Sequence, residues 1–528
     1  MAYSKMMRGS PILMGNNTIP GVPLPAELKA IIPKIFETCK KRGLDFYPTI
    51  VEKVTYDEMS EIAAYGGFPN RYPHWSFGME YENLSNGYEY GMQRIYELVI
   101  NTSPTYIYCM DSNTLMDDVL VIAHALAHSD FFKNNIYFEQ TDENMMNVLA
   151  NHGTRIRRYI SRWGEEKVTE FLDHVLRINT LIDFSNSWKR RKFKDKIVKD
   201  YRPYYEPVRR KVEHEYMEPW LNSKEYLDEQ KEIIKEQEIA DQLELFGKPD
   251  KDIMAYLKDN APLKPWQHDI MAMLYEEALY FAPQRLTKIL NEGWASYWDS
   301  EILCGEGLVS LGEKRHDAGI ISYALHKSGV LGGKYSSNPY ALGYALFRDI
   351  KDRWDKGKFG SDYDDCTDYK EKKNWNKNLG LGEEKIFEVR KFYSDISALN
   401  EFFTPEFCDK YEFFHYKRYP NGEWKIESRD YNVIKKQLIN TYSNGGLPDV
   451  RLVDPNHRNK GYFLMEHRYD GVELYSPYVR ETMMSIAAIW QKPVVLTTFM
   501  DNEEIVYVAN NQTVSYMSRK EYENREVL

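Results

Sequence analysis

The sequence predicts a mainly helical α+β chain: a large helical body followed by a small α+β domain. Three observations carry this. Apolar residues recur every three to four positions at 114–132, the period of a helix face, and helical signals return at 264–304, 339–355 and 384–403. From about residue 430 the texture shifts to short runs rich in β-branched and aromatic residues, VRLVD, GYFLMEHR, GVELYS, PVVLTTFM and EEIVYVAN, which read as strands. A length of 528 residues leaves room for about two to four domains.

The elements follow in order. Residues 1–25 carry Pro11, Pro20, Pro23 and Pro25 and read as an extended arm. Residues 26–183 form the first part of the body. It opens with a helix over 26–42, then breaks at Gly43, Pro48 and Gly66–Gly67, and continues into an aromatic loop with Phe68, Tyr72, His74, Trp75, Phe77 and Tyr81. A helix or strand at 89–100 and a strand at 104–110 precede the helix at 114–132, and two helices over 142–183 break near Trp163–Gly164. Residues 184–260 read as a charged helical excursion, basic over Lys189–Lys211 and acidic over 224–245, with a solvated face as its simplest role. Residues 261–429 form the second part of the body, with Pro265 placed at a helix start and 356–382 as a long polar loop. Residues 430–528 are the small domain, with a helix at 477–490 among its strands.

Composition narrows the function classes. An apolar share of 43% and 41 tyrosines suit a packed core and exclude a disordered chain. Sixty-nine basic against 80 acidic residues give a net charge of −11, which argues against a dominant nucleic-acid or anionic-membrane surface. Cys39, Cys109, Cys304, Cys366 and Cys408 are scattered and form no C-x-x-C, so neither a disulfide framework nor a thiolate zinc ribbon is expected. The first 25 residues lack an apolar signal core, and VLVIAHALA at 119–127 falls far short of the ~20 residues a membrane span needs. The expectation is a cytoplasmic protein with no transmembrane segment.

The strongest chemical signal is His124-Ala-Leu-Ala-His128. Residues four apart on a helix share one face, which lets two imidazoles meet one ion. Two such histidines also occur as ordinary core residues. The second piece is Asn291-Glu292-Gly293-Trp294-Ala295-Ser296-Tyr297-Trp298, on a separate helix whose face around Glu292 is partly apolar. A carboxylate buried there must be paired, protonated or metal-bound; a salt bridge to Lys288 would need no metal. HALAHSDFF and LNEGWASYW together resemble gluzincin metallopeptidases, which carry HELAH on one helix and NEGFA on a later one. That resemblance implies a zincin-like body and a metal site of His124, His128 and Glu292. Ala125 stands where those enzymes keep the glutamate that serves as general base.

A second resemblance covers most of the chain. PHWSFGMEYE at 73–82, ELVINTSPTYIYCM at 97–110, AHALAHSDFFKNN at 123–135, APLKPWQHDI at 261–270, FAPQRLTKILNEGWASYW at 281–298, LHKSG at 325–329 and NPYALGYALFRDI at 338–350 occur in order. These blocks resemble the stage V sporulation protein R family, with Ser129 in place of the usual Asn after the second His. The resemblance implies a link to spore cortex formation. It also implies partners, a serine protein kinase and a von Willebrand-type protein, in bacteria that make no spores.

With Ala125 unable to take a proton, the base candidates are His326, which could equally be a fourth metal ligand, Glu80 and Asp142, joined by His74, Glu82 and Glu139. Asp142 also suits a histidine-orienting or helix-capping role. Tyr340 is a candidate donor to a developing oxyanion, and Arg285 a candidate anchor for a substrate carboxylate. GVLGGKYSS, GLGEEK and DYDDCTDYKEKK each break the phosphate-loop, dinucleotide or calcium-loop pattern that they approach. The leading expectation is a Zn²⁺-dependent hydrolase of amide bonds acting on an envelope-precursor or peptide-like substrate. Fe²⁺ oxidoreductase chemistry on the same ligands and a non-catalytic interaction protein with a structural metal are the alternatives.

Overall fold

A computed structural model describes residues 22–89, 97–184, 226, 251–305, 324, 328, 331, 338–418 and 422–524. The described residues fall into two compact units, one within 1–169 and 279–447, the other within 170–278 and 448–528. Each unit is therefore discontinuous in sequence and draws on stretches that periodicity alone reads as separate.

The first unit begins with α1 (Ala26–Lys41), whose Leu28, Ile31, Ile32, Ile35 and Phe36 turn one face inward. Strand β1 (Thr49–Val54) and helix α2 (Tyr56–Ala64) follow; neither was anticipated from the Gly43 and Pro48 breaks. The aromatic stretch expected as a loop becomes helix α3 (Trp75–Glu89) once past Pro73, with the His74 imidazole pairing with the Ser76 hydroxyl at 2.7 Å at its start. The segment left open between helix and strand holds β2 (Glu97–Ile100), and the expected strand is β3 (Thr105–Met110).

These strands form a sheet in the order β1-β3-β2, with β1 parallel and β2 antiparallel to β3. Alternation along β3 sends Ile107 and Cys109 into one core and Tyr108 and Met110 into another, so both faces are covered.

Helix α4 (Leu115–Asn134) lies against this sheet, α1 and the later helix at Lys288–Ser300. Its spacing reads as one apolar face, yet its residues from Met116 to Phe132 are buried around nearly the whole circumference, with Asp117 the exception. It is a central helix rather than a surface one. Thr114 caps it, taking the Asp117 N–H while Asp117 takes the Thr114 N–H. Replacing Thr114 by Ala should cost about 1 kcal/mol of stability by urea unfolding and leave the site geometry in place. Lower on the same helix, buried Asp118 pairs with buried Lys53 of β1 at 2.8 Å, and burial pushes the Asp118 carboxyl up to about 6.

Helices α5 (Met145–Trp163) and α6 (Glu165–Arg177) meet at Gly164, whose φ of 91° is readily reached only without a Cβ. After α7 (Ile253–Asn260) come α8 (Pro265–Leu286) and α9 (Lys288–Ser300). Helix α10 (Pro339–Lys356) crosses α9. The polar loop at 356–382 is broken by two short helical turns, Ser361–Asp364 and Tyr369–Lys373. Helices α11 (Gly382–Phe392), α12 (Asp395–Phe402) and α13 (Pro405–Lys410), a hairpin of β4 (His415–Arg418) with β5 (Trp424–Ser428), and α14 (Tyr431–Tyr442) complete the first unit. Trp294, Trp298, Phe131, Phe347 and Phe402 fill its core.

The second unit holds a five-stranded sheet in the order β10-β9-β8-β7-β6, built from β6 (Val450–His457), β7 (Tyr462–His467), β8 (Val494–Met500), β9 (Glu503–Ala509) and β10 (Val514–Ser518). Only β7 and β8 pair in parallel, and α15 (Ser476–Trp490) makes the crossover that a parallel pair requires. GVELYS, expected as a strand, is instead irregular chain leading into α15. Helix α7 belongs to this second unit, where its Tyr256 packs on Phe463 and Trp490. The mainly helical α+β class expected from the sequence is the class observed. Most of the charged excursion at 184–260 and of the 1–25 arm lies outside the described residues. Among the described residues no helix is long and apolar enough to cross a membrane.

Candidate metal centre

Two helices of the first unit supply the site. His124 and His128 stand one turn apart on α4, both about 95% buried, with ring centroids 4.8 Å apart. Glu292 projects from α9, its side chain mostly buried. The Glu292 Oε2 lies 3.4 Å from His128 Nε2 and 4.0 Å from His124 Nε2. Ligand atoms of all three residues lie within 4.8 Å of one another, and among the described residues this is the group of His, Cys, Asp and Glu suited to holding one ion.

The outer edges of both imidazoles are tied down. His124 Nδ1 donates to Asp299 Oδ2 at 2.9 Å, and His128 Nδ1 donates to Asn291 Oδ1 at 2.9 Å. Both acceptors are buried. With each Nδ1 proton engaged, a neutral ring presents its Nε2 lone pair toward Glu292, the tautomer a metal ligand needs. The pairing also shows that α4 and α9 run antiparallel, since His124 meets Asp299 while His128 meets Asn291. Glu292 Oε2 is buried and makes no hydrogen bond of its own. Two imidazoles and a carboxylate, one of its oxygens buried and unsatisfied, are a donor set that fits a divalent ion such as Zn²⁺ or Fe²⁺.

Burial pushes the Glu292 carboxyl up. When protonated, the two imidazoles, with a hydrogen bond from Tyr340, outweigh that and hold it below the usual carboxylate range. Tyr340 comes from the first turn of α10, set there by Asn338, whose side chain accepts the Tyr340 and Ala341 N–H groups. Helix α10 reaches α9 so closely because the crossing point is glycine on glycine. A Cβ on Gly293 would lie 2.3 Å from the Gly343 carbonyl carbon, and one on Gly343 would lie 2.1 Å from Ile289 O.

The start of α9 is fixed from a distance. Thr287 makes no side-chain cap, and Asp395 of α12 instead accepts the Ile289 and Leu290 N–H groups at 2.9 and 3.0 Å. Burial pushes Asp395 up to about 7 against the pull of those N–H groups. Because its folded value exceeds the unfolded one, its contribution to stability is present below the unfolded value and is lost as pH rises through about 7. Asp395→Asn should therefore lose stability relative to wild type most at pH 4.5 and least at pH 7.5. Urea midpoints for both proteins across that range check this, and a constant difference would contradict it.

A third tie joins the two helices behind the site. Trp294 Nε1 donates to Asp130 Oδ2 at 2.9 Å, the Asp45 N–H reaches Asp130 Oδ1 at 2.7 Å, and Arg390 lies 3.5 Å from the same carboxylate. Burial pushes Asp130 up to about 6. Ser129 Oγ meets Thr105 Oγ1 at 3.0 Å and takes the Tyr47 N–H, which stitches α4 to the sheet.

The other expected site residues are placed as follows. Ala125 is fully buried in the main core. Tyr340 joins the triad through Glu292. His326 lies outside the described residues. Glu80 and Glu82 are exposed on α3, and Glu139 is exposed after α4. Asp142 is exposed and takes the Asn144 N–H at 2.7 Å in the turn before α5. His74 lines a cavity between α2, α3 and α6. Arg285 packs beside Gly445, and burial lowers its guanidinium below the usual value.

Sequence reasoning missed Asp299, the orienting role of Asn291, and Gly343. Asp299 had a signal, because seven residues after Glu292 is two helical turns and hence the same face. Asn291 had a weaker one, its adjacency to Glu292. Gly343 and Asp395 had none, since both act across the tertiary fold.

Comparisons with known proteins agree on the family. The family model described as SpoVR like protein matches residues 24–447. An Escherichia coli (strain K12) protein named "Uncharacterized protein YcgB" is 28% identical over 402 residues, covering 73% of this chain and 74% of its own length. No solved structure matches the chain. The likeness to gluzincins accordingly rests on the two motifs alone.

Proposed function

The chain belongs to the SpoVR-like protein family, and from that premise we propose that it is a metal-dependent hydrolase of amide bonds. The observation that supports this reading is the pair of imidazoles whose Nδ1 protons are held by Asp299 and Asn291 while their Nε2 atoms face Glu292. A Zn²⁺ or Fe²⁺ held by His124, His128 and Glu292 would supply Lewis acidity toward water or a substrate carbonyl.

The chain's own groups do the rest. Asp299 and Asn291 fix the ring orientations, and Asp299, as a carboxylate, also raises the basicity of the His124 ring. Tyr340 holds the Glu292 carboxylate in place and brings a hydroxyl proton to the edge of the site. Ala125 offers no proton acceptor, so the base role falls to another group, and Tyr340, which keeps its proton, serves as a donor to a developing oxyanion. An envelope-derived peptide is the substrate class we infer, in keeping with the cortex link of the family that the chain resembles, and a cytoplasmic location goes with it.

The test is metal content by mass spectrometry on untagged protein, followed by hydrolysis of cross-linked muropeptides by the loaded protein. About one ion per chain, and cleavage lost in His124→Ala, support the proposal. An ion bound without cleavage of muropeptides or simple peptide amides overturns the hydrolase. It leaves the second reading, which the missing proton acceptor at Ala125 favours: a regulatory protein with a structural metal, docking to a serine protein kinase system.

A further inference from the structure

We propose that the cavity between α2, α3 and the start of α6 binds an organic cation, an alkylammonium or guanidinium group. The cavity has a volume of about 700 Å³, within the ~300–1,000 Å³ typical of small-molecule pockets. Its walls combine two features that favour a cation. The rings of Tyr65, Trp75 and Tyr81 line it, and so do the carboxylates of Asp57, Glu61 and Glu165. No lysine or arginine is among the described residues lining it. Aromatic faces attract a cation that has shed part of its water, and the carboxylates raise its local concentration.

The same aromatic wall already stabilises a guanidinium. Arg71 is buried with its Cζ 5.2 Å from the centre of the Tyr72 ring and 5.3 Å from that of Phe77. The Trp75 indole is half exposed beside this otherwise well-packed ring cluster, apolar surface that a ligand would cover. The Tyr65 phenol is pushed up by burial and by its hydrogen bond to Glu61, so the ring is held against that carboxylate as a neutral donor.

Gly78 keeps the cavity open. It lies in the lining, one turn from both Trp75 and Tyr81, and a Cβ built on it meets nothing within 4 Å. A larger side chain there would enter the cavity without disturbing the packing.

The experiment is isothermal titration of the full chain with choline chloride and with N-acetyl-lysine amide. Their uncharged shape mimics, 3,3-dimethylbutan-1-ol and N-acetyl-norleucine amide, are the controls. Saturable binding of either cation, at least tenfold weaker in Trp75→Ala and in the Asp57→Asn/Glu61→Gln double variant, and abolished in Gly78→Leu, is expected. The stronger of the two cations separates a free quaternary amine from a basic side chain. Binding of the neutral mimics as tight as that of the cations overturns the proposal. So does the absence of saturable binding by both cations, or undiminished binding in Gly78→Leu. Circular dichroism melts of each variant establish that it is folded before its titration is read.

Discussion

Gly293→Ala should destabilise the first unit by at least about 3 kcal/mol and abolish metal binding with it. The Cβ it adds would sit 2.3 Å from the Gly343 carbonyl carbon, 2.4 Å from its Cα and 2.7 Å from its oxygen. All three are backbone atoms of α10, so no side chain can rotate away, and relief requires that the two helices move apart. That movement would carry Tyr340 off Glu292 and open the core around Trp294 and Phe347, whose rings lie 5.2 Å apart. Gly78→Ala is the matched control, a helical glycine whose Cβ meets nothing within 4 Å. It should gain about 0.5–1 kcal/mol, the usual advantage of alanine in a helix. Urea unfolding of both variants checks the pair, and similar midpoints for the two would show that the α9–α10 contact yields without cost.

The contrast between those glycines marks where the sequence could be read and where it could not. His124, His128 and Glu292 were legible because their signal is local: a four-residue step on one helix and a carboxylate in a recognisable run on another. The central helix was legible as a helix, but not as a buried one, because apolar spacing does not reveal that sheet, α1 and α9 enclose it on all sides. The partners of the two imidazoles were half legible. Asp299 sits on the face of α9 that Glu292 defines and Asn291 is its chain neighbour, but assigning one to each histidine requires knowing that α4 and α9 are antiparallel. Asp395, which holds the start of α9 from 106 residues away in the chain, left no trace at Thr287. The aromatic run from Trp75 reads as a loop by its composition, yet past Pro73 it continues as the helix α3. The interleaving of the two compact units follows from tertiary contacts that no periodicity encodes.

Metal content should separate ligands from the groups that orient them. His124→Ala, His128→Ala and Glu292→Ala each remove a donor atom from a set of three, so each should purify without the ion. Asp299→Ala and Asn291→Ala leave all three donors and should weaken binding about 10–100-fold, measured against a chromophoric chelator. The two should not be equal. Asp299 gives His124 a charged acceptor and Asn291 gives His128 a neutral one, and a hydrogen bond to a charged acceptor is roughly twice as strong. The loss in Asp299→Ala should therefore be the larger, and Asp299→Asn, which keeps an acceptor but not its charge, should fall between wild type and Ala. Tyr340→Phe adds a further distinction. It deletes the hydroxyl beside Glu292 without touching a donor, so it should bind the ion within about tenfold of wild type while losing most of any hydrolytic activity. Full activity in Tyr340→Phe would remove that hydroxyl from the chemistry. Wild-type affinity in Asp299→Ala would mean that core packing alone orients the His124 ring.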